Sequence, residues 1–217
     1  MVKFKLNKSL DKKMAFQFLR HNAGGVDFSQ NILIFHPELK KIDKENTSAI
    51  NNYFDNFYNK IEALLKLKVI QYQSEWNNLE SNFILETIKL FNGYNFPDGK
   101  YIGYLSAFNC NPRFLGNKTF QIFYWSDSCI YVTSHELMHF IFYAYTSEKF
   151  SELTNGLDTN TGLWWDVAEI FNSVVLSSTL FTKILKTKGD TGYPKHKALI
   201  RESTKLFGAG LFIDDFI

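Results

Sequence analysis

The sequence predicts an α+β protein, mostly helical, with a small mixed sheet just ahead of a helix that carries the pattern H-E-x-x-H. Three observations predict it. Residues 46–92 contain neither Gly nor Pro and repeat their apolar side chains at helical spacing. Two short apolar runs, 101–108 and 118–125, follow a turn cluster and read as strands. Two further apolar segments, starting near 127 and 162, are too long for strands and read as buried helices.

Each element has its local reason. Ser9 can cap a short helix over about 10–21, stopped by Gly24-Gly25. "NILIFH" (31–36) is apolar and ended by Pro37, so it reads as a strand. Ile50, Tyr53, Phe54, Phe57, Tyr58, Ile61, Leu64 and Leu65 form one helical stripe. Trp76, Leu79, Phe83, Ile84, Ile88 and Phe91 form a second, with a break expected near 66–71. Gly116-Asn117 lies between the two strands, which implies a hairpin or an irregular excursion. Ser126 or Asp127 can cap the motif helix, which should run to about Thr146. A second apolar helix is expected over about 162–186. Pro194 suits the first turn of a last helix over about 194–207, stopped by Gly208 and Gly210.

With 217 residues, 45% hydrophobic and 21% charged, the chain is an ordinary folded protein. We expect a single domain, 1–217, with a helical front half over 1–98 holding one short strand and a core over 99–217. A formal charge of +2 is too small to argue for nucleic acid or an anionic membrane. The N-terminus is basic but lacks an apolar run of signal-peptide length, and the longest apolar run near the motif, 140–145, is too short to span a bilayer. No membrane span is expected, and a cytoplasmic location is the default, with export by another route left open. Cys110 and Cys129 make no disulfide framework and read as buried thiols. His21 and His36 stand alone in the sequence.

The chemistry lies in "SHELMHF". Residues at i and i+4 share a helical face, so His135 and His139 can aim imidazole nitrogens at one point. Zinc accepts such nitrogens at about 2.0–2.1 Å in tetrahedral geometry. Glu136, rotated about the axis, can reach a metal-bound water without being a ligand. Chance would give well under about 0.01 such matches in a chain of this composition. The surrounding helix is apolar, so two histidines and a glutamate on it would be costly without partners.

A catalytic zinc needs a third protein ligand and an open position. The pattern H-E-x-x-H-x-x-G-x-x-H is absent, because Phe142 and Tyr145 stand where Gly and His would be. A carboxylate on the later helix is the other route. That helix carries Asp166 and Glu169 among apolar neighbours. Glu169, flanked by Val167, Ala168, Ile170 and Phe171, is the better ligand, and Asp166 is the runner-up. Asp166 is better placed to accept the free N–H of a ligand His and fix its tautomer. Both acids can also be read as residues favoured by the helix dipole.

On His135-Glu136-Leu137-Met138-His139, and on Glu169 within "DVAEIFN", the chain resembles the zincin metallopeptidases of the gluzincin branch. The resemblance covers about residues 100–180, and the size is similar to that of minimal gluzincins. No G-x-M-E-N motif of the aminopeptidases is present. The resemblance implies a zincin-like fold and a Zn2+ held by His135, His139 and Glu169. It implies that Glu136 activates the metal-bound water for peptide-bond hydrolysis, as in an endopeptidase. It implies a peptide or protein substrate bound as an extended strand, with 118–125 and 101–108 as candidate edge strands. It also implies a His or Tyr that steadies the oxyanion. Tyr193 and His196 in "GYPKHKAL" are the candidates, and both also suit an ordinary helix start. The alternative is a catalytically silent zincin-fold binding or regulatory protein, which would not depend on Glu136. The C-terminal "GAGLFIDDFI" can fold back and bring Asp214 or Asp215 toward the metal, or can form a final strand.

Overall fold

The computed structural model describes residues 1–23, 25–126, 128–189, 192–208 and 213–216. They are mostly helical with a small mixed sheet, and they divide into two compact units that interleave along the sequence. One unit comprises residues 1–76 and 100–129, the other residues 77–99 and 130–217.

The first unit holds the sheet, in the order β1-β4-β6-β5. Strand β1 is Val2–Leu6, β4 Tyr101–Ser106, β5 Arg113–Phe114 and β6 Thr119–Phe123. Strands β1 and β6 both pair parallel to β4, and β5 pairs antiparallel to β6. Segments 101–108 and 118–125 therefore form no hairpin. The chain leaves β4, makes an irregular excursion through β5 and returns parallel. Val2 and Phe4 of β1 are buried while Lys3 and Lys5 are exposed, the period-2 signature of a half-covered strand. Gly103 in β4 is required by close approach. A Cβ there would lie 2.7 Å from the Phe4 ring and 3.0 Å from that of Phe120.

The candidate substrate strands are not free edges. β4 is interior. The outer side of β6 is engaged by β5, by the Pro112 carbonyl, which accepts from Gln121 N, and by Asn111 Oδ1, which accepts from Phe123 N. On the opposite edge, the Gln73 amide accepts from Phe4 N and donates to the Val2 carbonyl, both at 3.1 Å.

Helices α1 (Lys8–Phe18), α2 (Phe28–Phe35) and α3 (Thr47–Asn77) accompany this sheet, with a small ribbon of β2 (Asn22–Ala23) and β3 (Val26–Asp27). Asn7, rather than Ser9, caps α1 by accepting from Leu10 N. The expected stop for α1 falls partly on Gly24, outside the described residues. The expected strand at 31–36 is helical. Asp27 caps it by accepting from Ser29 N, and the buried pair Ile32-Leu33 followed by the exposed pair Ile34-Phe35 is a helical pattern, not a strand one. The expected break at 66–71 is absent. α3 runs through it with Leu65, Tyr72 and Trp76 buried on one stripe, and ends at Asn77-Asn78.

At the centre of this unit Asp11 is fully buried and accepts hydrogen bonds from Tyr58, Ser106, Gln121 and the amide of Ala107. Burial outweighs these donors and pushes its carboxyl up to about 7. His36 is equally buried. Its Nε2 donates to the Ala107 carbonyl at 2.9 Å and its Nδ1 faces the Tyr53 hydroxyl at 2.9 Å, while burial lowers its pKa. Cys110 and Cys129 are both buried free thiols.

The second unit is helical: α4 (Glu80–Leu90), α5 (Cys129–Lys149, from residue 130 onward), α6 (Ser151–Thr154), α7 (Gly162–Leu176), α8 (Thr179–Leu185), α9 (Lys197–Gly208) and α10 (Ile213–Phe216). Aromatic contacts build its core: Phe142 with Phe171 at 4.8 Å, Phe91 with Tyr145 at 5.2 Å and Phe83 with Phe181 at 5.9 Å between ring centroids. The helix expected over 162–186 is two helices. Ser178 caps α8, and the pair is bent by 75° at the break. No single described helix is long and apolar enough to cross a membrane. Pro194 opens a short 3-10 turn ahead of α9, as its fixed φ favours. The expected cap at Asp127 and the stop at Gly210 lie outside the described residues.

Candidate metal centre

Helix α5 is apolar on nearly every side, so it is a core helix of the second unit, and Thr133, Ser134, Glu136, His139 and Thr146 are buried with it, while residues 147–149 at its end are exposed. His139 is fully buried, Glu136 is 4% exposed and the His135 side chain 16%. His135 and His139 are one turn apart, with Nε2 atoms 3.1 Å from each other. Helix α7 brings Glu169, 3% exposed, against both of them. Its Oε2 lies 3.1 Å from His135 Nε2 and its Oε1 3.2 Å from His139 Nε2.

These distances test whether an ion fits. Ligands about 2.0–2.1 Å from a tetrahedral zinc are separated by roughly 3.3–3.4 Å. The two Nε2 atoms are 3.1 Å apart, and each faces its own carboxylate oxygen at 3.1 and 3.2 Å, distances close to that separation. Two imidazole nitrogens turned toward each other and toward one carboxylate make a donor set suited to a divalent cation. The three residues can hold a metal ion. Burial alone would raise the Glu169 carboxyl, but the imidazoles of His139 and His135 outweigh it and hold the group well below the usual carboxylate range.

Neighbours brace the ligands. The Tyr143 ring stacks on His139 at 5.8 Å and 12°, and its hydroxyl donates to the Thr159 carbonyl at 3.1 Å. Tyr131 lies one turn before His135, ring to ring at 6.1 Å. From α7, Asn172 donates to the His135 carbonyl at 3.0 Å. Sequence reasoning gives none of these three a role at the site. Tyr131 and Tyr143 stand four residues from a histidine on its own helical face, and that spacing was the available signal.

Asp166 does not reach a ligand histidine. It accepts instead from His196 Nε2 at 2.8 Å and from Lys195 Nζ at 2.7 Å. Partial burial raises its carboxyl, and the bonds to Lys195 and His196 lower it further than that, so the net shift is downward. His196 is 2% exposed, and its Nδ1 has no hydrogen-bond partner among the described residues. Tyr193 contacts the rings of Trp165 and His196 at 5.0 and 5.7 Å. Tyr193, His196 and Asp166 thus form their own cluster, joined to the ligand group through α7, where Asp166 and Glu169 are one turn apart. Asp214 lies elsewhere. It accepts from the Tyr145 hydroxyl and from Asn92 at 3.4 Å, and the Asp215 side chain is outside the described part of the chain. No protein-family model, curated protein or solved structure matches this chain, so its assignment rests on the chemistry of the centre itself.

Proposed function

We propose that the chain is a zinc-dependent peptidase, an endopeptidase of gluzincin type on a zincin-like fold. The observation that carries this reading is the convergence of His135, His139 and Glu169 beside a buried Glu136 on the same helix. Two imidazoles and one carboxylate suit zinc over Mg2+ or Ca2+, which favour all-oxygen sets. When bound, zinc supplies a Lewis acid that polarises a carbonyl and acidifies water. Glu136 takes a proton from the attacking water as its oxygen bonds to the peptide carbon. It passes that proton to the amide nitrogen as the C–N bond breaks, leaving a carboxylate and an amine. His196, held through Nε2 by Asp166, keeps Nδ1 for a developing oxyanion and donates from it when both ring nitrogens carry protons. Tyr193 borders that ring and is the second candidate for this task.

A second reading, a zincin-fold binding protein without turnover, draws on the pairing of the two expected substrate strands: β4 is interior to the sheet and β6 is covered by β5 and the Asn111 side chain. One experiment separates them: zinc content and peptide-library cleavage for the native chain, Glu136→Gln and Glu169→Ala. The peptidase reading expects about one zinc in the native chain and in Glu136→Gln, with cleavage reduced at least ~100-fold in the latter. It expects zinc to be lost in Glu169→Ala. Zinc without cleavage supports the binding reading, and no zinc in the native chain removes the peptidase reading and leaves the binding one.

A further inference from the structure

Asn172 lies three residues beyond Glu169 on α7 and is fully buried. Its Nδ2 donates at 3.0 Å to the main-chain carbonyl of His135 on α5. Inside a helix that carbonyl already accepts from the amide four residues on, so Asn172 uses the second lone pair. The other half of its amide gains nothing, because Oδ1 is buried with no hydrogen-bond partner among the described residues. A side chain selected by packing alone would be an apolar isostere such as Leu, which strands no buried polar atom. The bond therefore does something that packing does not. It joins the helix of the third ligand to the backbone of the first, at the ligand itself. The spacing between His135 Nε2 and Glu169 Oε2 depends on how far α5 and α7 slide or roll against each other. Displacements beyond about 0.5 Å already degrade such a constellation.

We propose that Asn172 is a positioning residue whose single cross-helix hydrogen bond to the His135 main chain sets the register of α5 and α7 and holds the ligand group assembled before metal arrives. This rests on the metal-binding part of the proposed function. The test is zinc affinity of the full chain, by competition with a chromophoric chelator, beside the metal-free urea midpoint, for native protein, Asn172→Leu and Asn172→Ala. Zinc affinity is expected to fall 10–100-fold in both variants. The metal-free midpoints are expected to diverge: Leu stays at or above native, and Ala falls because it leaves a cavity. Native zinc binding with unchanged affinity in both variants overturns this inference alone. Affinity loss in Ala but not in Leu also overturns it, by reducing Asn172 to a packing role. Failure of both variants to fold does the same, since the bond would then carry the fold. A native chain that binds no zinc overturns the metal reading and this inference together.

Discussion

Asp11 and Glu169 are both buried carboxylates, and their surroundings push them in opposite directions. Around Glu169 two imidazoles outweigh burial, whereas around Asp11 only neutral donors do the opposing and burial wins. Asp11 therefore ties stability to pH. Its carboxyl moves from 3.8 to about 7 on folding. Below the lower value both states hold the proton and its contribution is intact. As pH rises toward about 7 the unfolded chain releases the proton first, and the contribution is lost. A shift of that size corresponds to ~4 kcal/mol between acid and neutral pH. Asn at this position can accept from Tyr58 and the Ala107 amide while its NH2 faces Gln121, whose Oε1 has no partner among the described residues. Asp11→Asn should thus fold and lose the decline in urea midpoint expected of the native chain between pH 4 and 7. Parallel profiles for the two proteins would exclude this role. His36 acts in the other sense: its lowered pKa means that stability falls as acid protonates the unfolded chain first. At this scale the sequence was informative where spacing is local. His135, Glu136 and His139 are legible because one helical turn sets their geometry. The partner of Asp166 was not legible, because Lys195 and His196 come from a separate element whose approach no local rule gives.

Helices and strands differ in how much of their cause is local. α3 and α5 follow from apolar stripes read directly along the chain, while α2 was misread because its eight residues hold more β-branched and aromatic side chains than helix formers. The deciding signal there was the Asp27 cap, two residues before Ser29. β1 was hidden for a different reason. Alternating Lys3 and Lys5 with Val2 and Phe4 reads as a basic terminus until its partner, about a hundred residues away, is known. Gly103 shows the cost of that pairing. Placing a methyl group 2.7 Å from the Phe4 ring overpacks the β1–β4 contact, so Gly103→Ala should lower stability by about 1–3 kcal/mol in urea unfolding. A native-like midpoint would mean that the Phe4 ring yields freely and that the strand does not need glycine. At the α7–α8 break, Ser178→Ala should cost ~1 kcal/mol through the lost cap to Phe181 N.

At the scale of the whole chain, the proposed ligands span α5 and α7, two helices of one compact unit separated in sequence by a loop and the short α6. An ion that binds only the folded unit must stabilise it by mass action. Free zinc at about 100 times its dissociation constant adds ~2.7 kcal/mol. The added protection should fall on the amides of α5 and α7 in hydrogen exchange, where the ligands are fixed, and should be reversed by a chelator. It should also depend on pH. The Nε2 atoms of His135 and His139 can take a metal only when they carry no proton, so each ion bound displaces protons as acid is added. Zinc-dependent protection accordingly fades as falling pH protonates the two imidazoles. Glu169, already held far below the usual carboxylate range, stays ionised through that window and adds no pH dependence of its own. Glu169→Ala should therefore abolish the protection at every pH, while Glu136→Gln should leave it unchanged, because Glu136 is assigned proton transfer and no place in the ligand set. Equal zinc protection in Glu169→Ala and native protein would take the carboxylate out of the centre, and with it the link between α5 and α7 on which the peptidase reading depends.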